Sequence, residues 1–138
     1  MSAIRRQVSI EKSPRAVWTA LSTAEGLKTW LCDDAVVNGA TAGRFGIVNE
    51  GDDGEPLEDS GRIHTFRPTS KLEVAFDKNS KGPWKGTHLQ FTVAREGEET
   101  VVNVVHSGPA FDDEAVRAEA DDTWRRALTS LRDSLEGG

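Results

Sequence analysis

The clearest pattern along the chain is a helical spacing of apolar residues near its C-terminal end. Such residues recur at intervals of three and four, which places them on one face of a helix: Ala120, Trp124, Leu128, Leu131 and Leu135. Acidic residues at positions 112–114 suit the positive end of a helix, and two terminal glycines suit its stop. The pattern predicts one long amphipathic helix from Phe111 to Gly138.

Two short helices are predicted after a first strand. Residues 3–11 alternate between apolar and polar side chains, as a strand does. Ser13 is a suitable N-cap, and Pro14 fits the first position of a helix because its missing N–H needs no partner there. A second helical pattern covers residues 24–31. Gly26 near the junction indicates a bent helical corner rather than one continuous helix.

Strands and turns account for the middle of the chain. Alternating and apolar runs are separated by Gly, Pro, Asn, Asp and Ser, which are the residues that form turns. The segment Glu96-Gly97-Glu98 lies between two such runs and predicts a hairpin. Consecutive strands joined by short turns favour an antiparallel sheet, so the predicted fold class is α+β. The predicted strands in this region are residues 35–38, 43–50, 60–67, 71–77, 86–95 and 100–107.

Size and composition narrow the possible functions. The chain has 138 residues, enough for one domain with its own core, and we expect a single domain over 1–138. A net charge of −6 without a basic cluster argues against nucleic-acid binding, which needs a positive surface. Cys32 has no second cysteine to pair with, which is typical of a cytoplasmic protein. No apolar run is long enough for membrane insertion.

Several segments of the chain resemble a known family in sequence and in order. They are SPRAVWTAL, AEGLKTWL, AGRF, GRIHTFRPTSKLEVAF, TVVNVVHSGPAF and TWRRALTSLRDSLE. The set resembles the START-like (SRPBCC) superfamily and, within it, the family named for homology to the activator of heat-shock protein 90 ATPase. The resemblance implies the helix-grip fold. In that fold a curved antiparallel sheet of about six to seven strands wraps around a long C-terminal helix, with two short helices after the first strand.

The resemblance also implies an apolar cavity between the sheet and the C-terminal helix. Such a cavity suits a small hydrophobic or aromatic molecule that is bound without covalent chemistry. Some members of the wider superfamily are cyclases or hydrolases that use this cavity, so an enzyme is one alternative. A co-chaperone-like interaction with a heat-shock protein 90 homologue is another, but the residues give that partner no direct support. We expect a monomer or a weak homodimer.

The histidines and the cysteine do not predict a metal site or a cofactor. His64, His88 and His106 fall on three predicted strands with differing parity, so their side chains do not converge as zinc requires. Cys32 is followed by two aspartates, and negative charge raises the pKa of a thiol. The sequence has no nucleophile motif and no phosphate-binding loop. We therefore assign no catalytic residue, no metal ligand and no cofactor.

His106 is the histidine of greatest chemical interest. With strand alternation it shares a face with Val102 and Val104, so its ring is expected to point towards the helix. A backbone or hydroxyl partner would make it structural or a polar anchor for a ligand, whereas a buried carboxylate partner would indicate a general base. The acidic run at residues 50–59 is predicted to be a solvated loop.

Aromatic residues supply most of the predicted ligand site. Trp84 lies in a turn-rich stretch between two strands, where it could cover the mouth of a pocket or fold onto the sheet edge. Trp30 is expected near the same entrance. The complete set of predicted ligand-binding residues is Trp30, Phe45, Phe66, Phe76, Trp84, Phe91, Val104, His106, Trp124 and Leu128.

Overall fold

The computed structural model describes residues 3–137 as one sheet, two short helices and a long helix. The strands are β1 (Ala3–Ile10), β2 (Asp34–Val37), β3 (Arg44–Glu50), β4 (Pro56–Arg67), β5 (Lys71–Phe76), β6 (His88–Glu96) and β7 (Glu99–Ser107). The helices are α1 (Pro14–Ser22), α2 (Ala24–Leu27) and α3 (Glu114–Glu136), with a short 3-10 helix (Pro109–Asp112) before α3.

The strands form a seven-stranded antiparallel sheet in the order β1-β7-β6-β5-β4-β3-β2. Strands from the two ends of the chain are neighbours, and Ile4 of β1 lies opposite His106 of β7. The β6–β7 hairpin turns at Gly97, whose φ of +64° lies in the left-handed region that glycine adopts readily. The predicted hairpin and the antiparallel arrangement are confirmed.

The bent helical corner follows from two capping side chains. The hydroxyl of Ser13 accepts a hydrogen bond from the backbone N–H of Ala16 at 3.2 Å and begins α1. The hydroxyl of Thr23 accepts from the N–H of Gly26 at 3.0 Å and begins α2. A Cβ on Gly26 would collide with the carbonyl of Thr19, so glycine permits this close approach of α2 to α1.

Most predicted boundaries agree with the structure to within two residues, and three differ by more. The second short helix ends at Leu27, and turns complete the segment. β4 begins earlier than predicted, at Pro56, because the acidic run continues into the sheet. The last helix begins at Glu114 rather than Phe111, since Asp113 caps it and the residues before Asp113 form the 3-10 helix.

α3 packs against the sheet along the predicted apolar stripe. Trp124, Leu128 and Leu131 are buried in the same core as the inward-facing residues of the strands. The same helix is joined to β1, where the guanidinium of Arg6 donates two hydrogen bonds of 2.8 Å to the carboxylate of Asp121 in α3. The predicted α+β helix-grip architecture is therefore confirmed.

None of the helices in the described part of the chain combines the length and the apolar character that crossing a membrane requires.

Candidate functional site

A connected group of aromatic rings lies in the core between the sheet and α3. We call Trp30, Phe76, Trp84, Phe91 and Trp124 the aromatic cluster. Trp84 stacks on Trp124 with ring centroids 5.1 Å apart and planes inclined by 15°. The centroid of Phe91 is 5.8 Å and that of Trp30 is 6.4 Å from Trp124, and Phe76 lies 5.8 Å from Trp84. Contacts of this geometry add stability beyond the burial of the rings.

The structure separates one predicted site residue, Phe66, from this cluster. Phe66 is half-buried and its ring meets Trp18 of α1 at 5.6 Å. Phe45 contacts the aromatic cluster at Phe76, and the centroids of these two rings are 6.1 Å apart. The aliphatic members of the predicted site, Val104 and Leu128, are both buried in the core.

His106 is fully buried beside the aromatic cluster, and both of its ring nitrogens are hydrogen-bonded. Nδ1 accepts from the indole N–H of Trp124 at 2.9 Å. The proton of the neutral ring is therefore assigned to Nε2, which donates to the hydroxyl of Thr87 at 2.8 Å. That hydroxyl donates to the carbonyl of Trp84 at 2.6 Å. This chain of hydrogen bonds joins α3, β7 and the loop before β6.

The environment of His106 keeps its ring neutral. Burial, and to a smaller extent the charge of His88, lowers the pKa of His106 to about 3. The inward orientation predicted from strand alternation is confirmed. Its partners are a hydroxyl and an indole, so the carboxylate that a general base would need is not among the hydrogen bonds of this ring.

Trp84 is carried by a loop, residues 77–87, which we call the Trp84 loop. The N–H of Gly82 donates to the carbonyl of Glu58 at 3.0 Å, and Gly86 turns the chain with a φ of +72°. The side chain of Trp84 is inserted into the core and is 8% exposed. The loop therefore delivers an aromatic ring to the core, instead of leaving it on the sheet edge.

Asp59 is a candidate functional residue that the sequence analysis missed. It is 4% exposed, and its Oδ1 accepts a hydrogen bond of 2.9 Å from the backbone N–H of Trp84. Burial raises the pKa of Asp59 and outweighs the hydrogen bond from Trp84, which lowers it. The resulting pKa is about 6. A Cβ on Gly82 would collide with this carboxylate, so glycine lets the loop pass close over it. Buried carboxylates with such shifted pKa values occur preferentially at functional sites.

The prediction of a solvated loop for the acidic run is wrong at Asp59. β4 already includes Asp59, which lies opposite the buried Ile47 of β3. Strand alternation from the buried Ile63 towards the N-terminus gives Asp59 the same inward parity. This alternation could have identified Asp59 as buried, but the neighbouring acidic residues made the segment resemble a solvated loop.

His64, His88 and Cys32 take no part in the ring contacts and hydrogen bonds described above. His64 is exposed, and its ring centroid is 5.8 Å from that of His88, whose Nε2 is 3.1 Å from a carboxylate oxygen of Glu73. Within residues 3–137, no group of three or more His, Cys, Asp or Glu side chains is arranged to hold a metal ion. Burial, reinforced by the charge of Asp33, raises the pKa of Cys32 to about 11, which makes this thiol unreactive.

Three surface pockets lie away from the predicted ligand-binding residues. Two occupy the groove between β1 and α3, with volumes of about 450 Å³ each. The third, of about 550 Å³, is lined by β3, β4 and the start of the Trp84 loop. None of these three is lined by a predicted ligand-binding residue, because the rings of the aromatic cluster are packed against one another.

A comparison with protein families matches residues 11–136 to the model of the family described as Activator of Hsp90 ATPase homolog 1-like protein. A comparison with curated proteins finds no match.

Solved structures share the fold over nearly the whole chain. The Aha1 dimer from Colwellia psychrerythraea is 24% identical, with a TM-score of 0.80 over 99% of this chain and 97% of its own. Protein MLL2253 from Mesorhizobium loti is 20% identical, with a TM-score of 0.81 over 99% and 98% of the two chains. A protein from Aeromonas hydrophila, described as AHSA1-like, is 17% identical, with a TM-score of 0.75 over 97% and 93%. At these identities the likeness shows the helix-grip fold.

Proposed function

This chain belongs to the family of Activator of Hsp90 ATPase homolog 1-like proteins. We propose that it binds a small hydrophobic or aromatic molecule between its sheet and α3. The observation that carries the proposal is the aromatic cluster, in which Trp84 comes from a loop and stacks on Trp124 of α3. Ligand sites are mostly apolar and contain a few polar groups that orient the ligand. Here the polar groups beside Trp84 are His106 and Asp59.

Movement of the Trp84 loop is the proposed route of entry. The hydrogen bond from the N–H of Trp84 to Asp59 and the one between Thr87 and His106 hold the loop. Trp84 itself lies outside the paired strands. Opening of a loop costs less free energy than unfolding of the sheet, because the strand pairs stay intact. A ligand that then covers Trp124 lowers the free energy by about 25 cal/mol for each Å² of apolar surface that it removes from water.

The four tryptophans make the proposal testable by NMR, since each indole N–H gives its own signal. We expect flat aromatic compounds such as indole and naphthalene to shift the signals of Trp84 and Trp124 in a saturable manner. Trp18 is an internal control, because it contacts Phe66 and lies outside the aromatic cluster. Single Trp→Phe substitutions assign the signals. If a broad panel of aromatic compounds leaves all indole signals of the folded protein unchanged, the ligand-binding proposal is wrong.

The enzyme alternative has weaker support. His106 was its main candidate, and its hydrogen bonds to Trp124 and Thr87 use both ring nitrogens of the neutral imidazole. A general base needs a nitrogen that is free to accept the substrate's proton. We therefore propose binding without catalysis, in which His106 positions Trp124. Replacement of His106 by Gln is expected to preserve the fold and at most to weaken ligand binding.

The family description favours a second candidate function, an interaction with a heat-shock protein 90 homologue. Dense packing of the aromatic cluster is compatible with a protein that acts through its surface. Stimulation of the ATPase rate of such a homologue by the purified protein would support this candidate, and an unchanged rate at saturating protein would contradict it. The monomer or weak homodimer stays a prediction for this chain, whereas the Colwellia protein is described as a dimer.

A further inference from the structure

We propose that the preferred ligand of this site is an arylalkylamine, in which a flat aromatic ring is joined by a short saturated chain to a protonated amine. Its ring would replace the indole of Trp84 on Trp124, and its amine would replace the backbone N–H of Trp84 at Asp59. This inference rests on the proposed function above and specifies its ligand class.

The position of the ring follows from the packing of Trp84. Its indole lies nearly parallel to that of Trp124. Its ring centroid is 4.8 Å from that of His106 and 5.8 Å from that of Phe76. These neighbours belong to α3, β7 and β5, whereas Trp84 belongs to the loop. When the loop moves, the surrounding elements retain a slot with the shape of one flat ring.

The charge of the ligand follows from Asp59. This carboxylate is buried, and among residues 3–137 no Lys, Arg or His side chain forms an ion pair with it. Its hydrogen bond comes from an uncharged donor, the backbone N–H of Trp84. A buried carboxylate without a cation is unfavourable, and a paired and hydrogen-bonded cation compensates that cost. The raised pKa of Asp59 agrees with the lack of a cation beside it.

The spacing between ring and amine follows from the covalent structure of Trp84. Two carbons, Cα and Cβ, separate its backbone nitrogen from its indole ring. The nitrogen reaches Asp59 at 2.9 Å while the ring stacks on Trp124. A 2-arylethylamine has the same arrangement of atoms and replaces the neutral donor with an ammonium group. Hydrogen bonds to charged donors are stronger, and aromatic neighbours favour a cation.

The experiment compares three indole compounds by isothermal titration calorimetry on the 138-residue wild-type chain at pH 7.5. Tryptamine carries the ammonium, 3-methylindole carries no charge and indole-3-propionate carries a carboxylate. We expect tryptamine to bind at least about tenfold more tightly than either of the other two, which is the scale of one charge-assisted hydrogen bond. This comparison needs no variant, so it does not depend on the folding of a mutant.

Substitution of Asp59 tests the residue itself. Asp59→Asn removes the charge, and we expect it to abolish the preference for tryptamine over 3-methylindole. Asp52→Asn makes the same chemical change at an exposed position of the acidic run and is expected to preserve that preference within about twofold. Circular dichroism confirms that each variant is folded before titration.

The possible failures are distinguishable. Equal affinity of wild type for tryptamine and 3-methylindole would overturn the arylalkylamine inference and leave the ligand-binding proposal standing. An unchanged preference in Asp59→Asn would overturn the role of Asp59 in the same way. Failure of all three compounds and of the wider aromatic panel to bind wild type would overturn the ligand-binding proposal itself.

Discussion

Two buried titratable groups beside Trp84 respond to burial in opposite ways. His106 holds a neutral ring between Trp124 and Thr87, and burial lowers its pKa to about 3. Asp59 accepts one backbone hydrogen bond, and burial raises its pKa to about 6. Burial disfavours the charged form of each group, which is the protonated form of histidine and the deprotonated form of aspartate.

These opposite shifts predict opposing contributions to stability as a function of pH. An unfolded histidine has a pKa near 6.5. Between about pH 3 and 6.5 the unfolded chain therefore binds a proton at His106 that the folded chain does not bind. The contribution of His106 to the free energy of unfolding is lost as the pH falls through this range. The pKa of Asp59 is higher in the folded chain than the ordinary aspartate value of 3.8. Its contribution is therefore lost as the pH rises from about 4 to 6.

Single variants should separate the two contributions in urea unfolding at pH 4.5 to 6.5. We expect Asp59→Asn to steepen the loss of unfolding free energy on acidification, towards about 1.4 kcal/mol per pH unit, because the contribution of His106 then acts unopposed. His106→Gln should change the slope in the other direction, because the contribution of Asp59 remains. If both variants retained the wild-type slope, the assigned burial of these charges would be wrong. Asp52→Asn is the matched control.

Local patterns predicted the strands and the one long helix well. Alternation placed β7 with His106 facing inward, and the spacing of three and four identified α3. The sequence alone leaves the position of Trp84 open, because its loop is held by a hydrogen bond to Asp59, 25 residues away in the chain. Local periodicity contains no information about such a contact. Asp59 itself was missed because β4 extends into an acidic run.

The Trp84 loop also gives a prediction about affinity. If the indole of Trp84 occupies the place of the ligand ring, Trp84→Ala removes a competitor and leaves a cavity of matching shape. We expect the affinity for 3-methylindole to increase by about tenfold or more, because the binding-competent state no longer has to be populated by loop opening. Trp18→Phe, which changes an indole outside the aromatic cluster, is the control.

Calorimetric titration and thermal melts of Trp84→Ala measure this effect together. The vacated space should lower the free energy of unfolding by about 3–5 kcal/mol, and bound 3-methylindole should restore part of it. Weaker binding by Trp84→Ala than by wild type would show that Trp84 contacts the ligand instead of occupying its place.

α3 covers the apolar face of the sheet and so completes the core. Trp124, Leu128 and Leu131 are buried against the strands, and Arg6 of β1 binds Asp121 of α3. The order of elements and the family resemblance predicted this arrangement, because an apolar helical stripe needs an apolar surface to cover. Contacts between side chains far apart in the sequence, such as Arg6 with Asp121, could be identified only from the structure.

Removal of α3 should therefore abolish cooperative folding. Burial of each large apolar side chain contributes roughly 1.5–3 kcal/mol, so the loss of Trp124, Leu128 and Leu131 removes an amount comparable with the about 5–15 kcal/mol that stabilises a whole domain. We expect a chain of residues 1–109, which also lacks the buried Phe111 of the 3-10 helix, to show no cooperative thermal transition by circular dichroism. A chain of residues 1–134 retains all three side chains and is expected to melt cooperatively. A sharp transition from residues 1–109 would mean that the sheet is stable without its helix, and α3 would then be an accessory cover rather than part of the core.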